Sequence, residues 1–175
     1  MNLPETQTKA EEIKLVLAPY CHRIEIAGSI RRLKPEGIKD IEIVAQINSR
    51  WLREIENIVN CKWGRPAIGK FPSKYTRIRH WQYPIDFFWC FEPATWGLLF
   101  FIRTGPAPYV ARALSVWKRK SGGGYSEGCL LYDGQGTHYP TPKESDVFAR
   151  LGWPWVEPQY RLAILSTKGS NEYAK

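Results

Sequence analysis

The sequence predicts an α+β protein, and three observations carry that expectation. Two segments with strand-like alternation, residues 22–27 and 38–47, are separated by one turn. A run of short strand-like pieces follows from Cys61 to Phe91, and apolar stripes at helical spacing flank the strands and dominate the later half. Each element follows from its own residues.

Thr8-Lys9-Ala10-Glu11 reads as a capping box, with Ala10, Ile13, Leu17 and Tyr20 recurring at near-helical spacing until Pro19 ends the run. His22 to Ala27 places Ile24 and Ile26 on one face of a strand, which Gly28-Ser29 terminates. Ile38 to Ile47 is a second strand, after a turn containing Pro35 and Gly37. Trp51, Leu52, Ile55, Ile58 and Val59 form a helical stripe. Gly64-Arg65-Pro66, Gly69 and Phe71-Pro72-Ser73 punctuate the short strands, the last of which runs from Pro84 to Phe91. Pro93 opens a helix from Ala94 to about Arg103, Gly105-Pro106 breaks it, and Tyr109, Ala113, Val116 and Trp117 mark a further helix to Lys120. The glycine-rich stretch from Ser121 to Gly136 predicts a small hairpin around Cys129-Leu130-Leu131-Tyr132. Thr141-Pro142-Lys143-Glu144 reads as a second capping box before Val147, Phe148 and Leu151, with Gly152 as the stop. The polar tail after Leu165 is expected to fray.

Composition narrows the classes. A chain of 175 residues with net charge +8 has room for a core without disulfide staples, and its charge favours a polyanionic partner. Cys21, Cys61, Cys90 and Cys129 lie far apart with no C-x-x-C pair, so neither a zinc site nor a disulfide framework is indicated, and a cytoplasmic location fits. Residues 1–20 lack a signal-peptide core and no apolar run reaches membrane-spanning length, so no membrane partner is expected. Of the eight tryptophans, those at 51, 96 and 117 sit on apolar stripes and read as core.

The chemistry concentrates in few residues. On a strand Asp40 and Glu42 share a face while Ile41 and Ile43 take the other, which puts two carboxylates about 7 Å apart. Their repulsion is relieved by a divalent cation, and hard carboxylate oxygens suit Mg²⁺. Asp86 interrupts the apolar run Ile85-Asp86-Phe87-Phe88-Trp89, where an unpaired carboxylate is costly, and so reads as a third ligand from a neighbouring strand. Three carboxylates can hold two Mg²⁺ ions, with Mn²⁺ as a substitute, and two metals suit phosphoryl displacement. If the first strand ends at Gly28 and a helix starts near Ser29, free N–H groups, the Ser29 hydroxyl and a guanidinium make a phosphate site.

These residues resemble a family. G-S-x-R-R followed by D-x-E and a lone strand aspartate looks like the nucleotidyltransferase superfamily that includes DNA polymerase beta. Thr104-Gly105 after an apolar helix resembles the T-G turn of the family-X DNA polymerases, and TPKESDVFARLGWPWVEPQYR resembles their closing S-E-x-D-I-F…W…E-P-x-x-R segment. The resemblance spans roughly residues 8 to 161. It implies a palm domain over residues 1–103, a mixed sheet with helices on one face, and a small α/β carboxy-terminal lobe over 104–175. By that resemblance Asp40, Glu42 and Asp86 bind two metals and Asp86 helps activate a primer 3′-hydroxyl. Gly28, Ser29 and Arg32 hold the triphosphate, and Thr104, Gly105 and Tyr109 line the sugar and base. The implied partners are DNA and a deoxynucleoside triphosphate, the implied task is gap filling or primer extension in repair or replication, and a monomer is the simpler assumption.

The chain departs from the family pattern in four places. Ile102-Arg103 replaces an aromatic pair, Leu114 stands where a minor-groove arginine is common, Lys39 replaces a glycine, and Glu42 replaces a second aspartate. Two other readings compete: a nucleotidyltransferase acting without a template on RNA, protein or a small molecule, and a catalytically silent DNA-binding module. Lys70, Lys74, Arg77 and Arg79, interleaved with Phe71, Tyr75 and Trp81, suggest a phosphate-tracking strand face, with Arg112 and the basic cluster Lys118 to Lys120 on the later helix. Arg31 reads as a surface or structural ion pair rather than a ligand, and Gly122-Gly123-Gly124 as a turn.

Overall fold

The computed structural model describes residues 1–80 and 83–166. Trp81 and the tail beyond 166, both singled out above, lie outside the described residues. The chain folds as two compact units, Met1–Phe91 and Glu92–Lys175. That division falls twelve residues before the domain boundary expected at 103/104, so the helix after Pro93 belongs with the second unit. The α+β expectation is met.

In the first unit, helix α1 (Leu3–Leu17) leads to strand β1 (Cys21–Ile26), the short helix α2 (Gly28–Arg31), strand β2 (Ile41–Ile47) and helix α3 (Leu52–Lys62). Strands β3 (Pro66–Ile68), β4 (Tyr75–Arg79) and β5 (Pro84–Cys90) follow. The helix α1 begins six residues before the capping box suggested, because Asn2 accepts the Glu5 N–H at 3.0 Å and Pro4 fits the first turn. Thr8 lies inside the helix and its hydroxyl donates to the Pro4 carbonyl at 3.0 Å instead.

The five strands form one mixed sheet in the order β1-β2-β5-β4-β3. Only β2 and β5 run parallel; β1 with β2, β4 with β5 and β3 with β4 are antiparallel. One face carries Ile24, Ile41, Ile43, Ala45, Ile78, Ile85, Phe87 and Trp89, which pack with Ala10, Ile13 and Leu17 of α1 and Ile55 and Val59 of α3. Each fully buried aliphatic or aromatic side chain contributes roughly 1.5–3 kcal/mol. Ile41, Ile43, Ile85 and Phe87 are all 0% exposed, so β2 and β5 are held together from this face whatever the opposite face carries.

The second unit contains helices α4 (Trp96–Thr104), α5 (Ala107–Lys120), α6 (Glu144–Leu151) and α7 (Ala163–Ser166), and a small sheet of β6 (Tyr125–Glu127), β7 (Leu130–Tyr132) and β8 (His138–Tyr139). The expected hairpin therefore has a third strand. Asp133 organises its second turn by accepting the Gln135 and Thr137 N–H groups at 2.9 Å each and the Tyr139 hydroxyl at 3.0 Å. Leu98, Phe101, Tyr109, Ala113, Trp117, Leu131, Val147, Phe148 and Leu151 make the core.

Helix α6 starts later than the Thr141 capping box implied. The Lys143 N–H donates to the Asp146 carboxylate at 2.7 Å, while Thr141 is buried and its hydroxyl accepts the Leu98 N–H at 3.1 Å. That crossing requires Gly97: a Cβ there would lie 2.4 Å from the Thr141 carbonyl oxygen. Among the described residues, no helix is long and apolar enough to cross a membrane. None of the four cysteines is in a disulfide.

Candidate active site

The strand register decides where the acids go. Glu42 on β2 pairs directly with Asp86 on β5, and Asp86 pairs in turn with Arg77 on β4. Directly paired residues point to the same face of a sheet, so Glu42, Asp86 and Arg77 form a row across three strands. Asp40 lies one residue before β2 and two before Glu42, and its carboxylate reaches the same row through Arg77. This is the face opposite the α1 and α3 core.

Asp86 is 4% exposed and fully engaged. Arg77 Nε donates to its Oδ1 at 2.6 Å and Arg77 Nη2 to its Oδ2 at 2.5 Å, a two-pronged guanidinium clasp, and the Tyr75 hydroxyl donates to Oδ1 at 3.0 Å. The same Arg77 Nη2 donates to Asp40 Oδ2 at 3.0 Å. These bonds offset the cost of burying a carboxylate in an apolar strand. Burial, reinforced by the negative charge of Asp86, raises the Asp40 pKa above the ordinary carboxylate value, with Arg77 opposing the shift. Burial and then the Asp86 charge push the Tyr75 phenol upward, and the bond to Asp86 raises the Arg77 pKa, so both stay protonated donors.

Glu42 is placed by a glycine. Residues 27 and 42 are tied by an Ala27 N–H bond to the Glu42 carbonyl at 2.8 Å, where β1 turns into α2. Gly28 has φ +61°, and a Cβ on it would lie 1.8 Å from Glu42 Oε2. Only a hydrogen fits between that turn and the carboxylate. The Gly-Ser turn and the D-x-E strand are thus in direct contact, with Ser29 and Arg32 half-buried in and just after α2.

The remaining predicted residues divide. Thr104 is 0% and Tyr109 2% exposed, both within the second unit, where the Tyr109 ring packs on Phe101 and Trp153. Burial pushes the Tyr109 phenol up to about 12. Gly105 ends α4, its N–H bonded to the Phe101 carbonyl at 2.9 Å. Lys70, Lys74 and Arg79 are exposed. Arg112 is half-buried, lining a small cavity with Tyr109 and Trp153. Arg77 differs from the phosphate-tracking role expected of it: its guanidinium is taken up by Asp86 and Asp40, because β4 presents Tyr75 and Arg77 to the acid row.

Two functions of side chains have little or no signature in the sequence. One is the Tyr75–Arg77 clasp, whose only sequence signal is the two-residue spacing of two donors on a strand. The other is Arg161 of the E-P-x-x-R segment. It is 0% exposed, donates from Nη1 to Glu144 Oε1 at 2.7 Å and from Nε to the Val156 carbonyl at 3.1 Å, and lies over the Phe148 and Trp155 rings at 5.2 and 5.4 Å.

As a donor set, Asp40, Glu42 and Asp86 suit a hard divalent cation. As the side chains stand, no group of three His, Cys, Asp or Glu among the described residues is arranged to hold a metal. Arg77 supplies the positive charge in its place. Comparison with protein-family models and with curated proteins finds no match.

Proposed function

We propose that this chain is a nucleotidyltransferase of the DNA polymerase beta type, adding a nucleotide from a deoxynucleoside triphosphate to a primer 3′-hydroxyl in short-gap filling or repair synthesis. The observation that carries the reading is the row Glu42–Asp86, joined by Asp40 and abutted by Gly28. Carboxylates from two parallel strands and a Gly-Ser turn meet on one sheet face, as that chemistry requires.

In this reading Asp40, Glu42 and Asp86 hold Mg²⁺, which when bound stabilises charge on the attacking and leaving oxygens. Tyr75 orients Asp86, which helps activate the hydroxyl. Ser29, Arg32 and the first N–H groups of the α2 turn bind the triphosphate. The hydroxyl oxygen bonds to the α-phosphorus, the bond to the β-phosphate oxygen breaks, and pyrophosphate leaves. Positioning and charge neutralisation supply most of the rate.

One observation favours the second reading, transfer without a template. The E-P-x-x-R arginine is inside the second unit, so that arginine offers no DNA contact that would set a templated enzyme apart. The deciding experiment incubates the protein and its Asp86→Asn variant with Mg²⁺ and labelled nucleotides on gapped duplex, blunt duplex and single strand. Template-directed extension of the gapped duplex, lower by about a hundredfold or more in the variant, is expected. Untemplated addition selects the second reading, and DNA binding without incorporation overturns both.

A further inference from the structure

We propose that Arg77 is a displaceable counter-ion: it clasps Asp40 and Asp86 while no metal is bound, and a divalent cation must take its place. This rests on the reading of the three acids as a metal site.

Everything turns on the carboxylate oxygens. Asp86 Oδ1 accepts from Arg77 Nε and Tyr75, Asp86 Oδ2 from Arg77 Nη2, and Asp40 Oδ2 from the same Nη2. A cation that binds these oxygens meets Asp86 with three donors already on it, two of them from the guanidinium, and it brings two positive charges against a third. Guanidinium and cation therefore exclude each other on this pair.

The two donors on β4 are not equivalent. Tyr75 is stacked on Phe88, ring centroids 5.1 Å apart and 22° from parallel, so it stays when Arg77 leaves and keeps Asp86 oriented. The Arg77 side chain is 32% exposed against 6% for Asp86, which leaves it a route into solvent without moving the strand. In the row Glu42–Asp86–Arg77, the arginine balances acids that would otherwise repel on a half-buried face. It keeps the acids assembled while no metal is bound and weakens the first metal's binding in return.

The test uses the full chain and Mn²⁺ alone, with free Mn²⁺ read from its electron paramagnetic resonance signal. Saturable binding to the wild type, abolished in Asp86→Asn, is expected. Arg77→Met should bind about tenfold more tightly, the low end for hydrogen bonds to a charged group because the site is partly exposed. Arg77→Lys, which keeps the charge but not the fork, should fall between. A merely structural arginine gives the opposite sign, weaker binding on its removal, and that result overturns the proposal. Lysine binding equal to wild type also overturns it, since distant charge rather than occupancy then sets the affinity. Should Arg77→Met fail to fold by circular dichroism, the lysine variant decides. Binding that depends on Asp86 but not on Arg77 removes this inference alone; no saturable Mn²⁺ binding in any form removes the metal reading with it.

Discussion

Replacing Gly28 by alanine tests the link between the Gly-Ser turn and the acid row. The new Cβ would sit 1.8 Å from Glu42 Oε2, and ordinary contact begins at 3.4 Å, so the carboxylate must retreat by roughly 1.6 Å. A misplacement of about 1 Å costs about a hundredfold in rate when a group must meet a reacting centre. The backbone at φ +61° adds a strain of about 1–2 kcal/mol for a residue with a Cβ. A domain stable by about 5 kcal/mol or more stays folded after that loss. On the proposed function, urea unfolding and Mg²⁺-dependent primer extension, measured side by side, should therefore show a modest fall in stability and a fall in activity of about a hundredfold or more. Activity within a few-fold of wild type, or a loss no larger than the unfolded fraction, would refute the reasoning. Ser29→Ala keeps the glycine and should leave stability nearly unchanged.

Other consequences can be checked independently. Arg161→Met breaks a buried ion pair and takes the guanidinium away from the Glu144 carboxylate, an expected cost of about 3–5 kcal/mol in thermal or urea unfolding. The double change with Glu144→Met should recover much of it, and additive losses would show the two are not coupled. The Asp133 pKa is lowered, chiefly by the Thr137 N–H and then by the Gln135 N–H. A group whose folded pKa lies below its unfolded value stabilises above the unfolded value and loses that contribution as pH falls through the folded one. Urea midpoints taken from about pH 5 downward should thus drop more steeply in wild type than in Asp133→Asn.

Much of the first unit was legible because strand alternation survives where one face is buried. The pairs Ile41/Ile43 and Asp40/Glu42 announce opposite faces in the sequence, and Asp86 stands out as a single charge in an apolar strand. The partner of Asp86 was not legible. Arg77 reaches it through the pairing of β4 with β5, and register between strands joined by a loop is a tertiary choice with no local signature. A basic residue on a short strand reads as surface until that register is known. Helix starts shifted for a related reason. Thr8 and Thr141 both match a cap pattern, but Asn2 reaches the Glu5 N–H first, and Thr141 is claimed by the backbone at Leu98. Arg161 shows the limit of motif reading: the E-P-x-x-R pattern says nothing of its surroundings, whereas the rings of Phe148 and Trp155 make a pocket for its guanidinium inside the core.

The position of β5 has a consequence for how the protein is made. Its strand is the last of the five to leave the ribosome, yet it inserts between β2 and β4 and forms the one parallel pairing. Until residue 86 is available, the two earlier acids lack the carboxylate they meet across the sheet, and the β4 arginine lacks the one it clasps. A nascent or truncated chain stopping short of Pro84 therefore carries most of the helices and strands of the first unit but no assembled centre. The acid row is completed late and all at once, with the closing of the sheet.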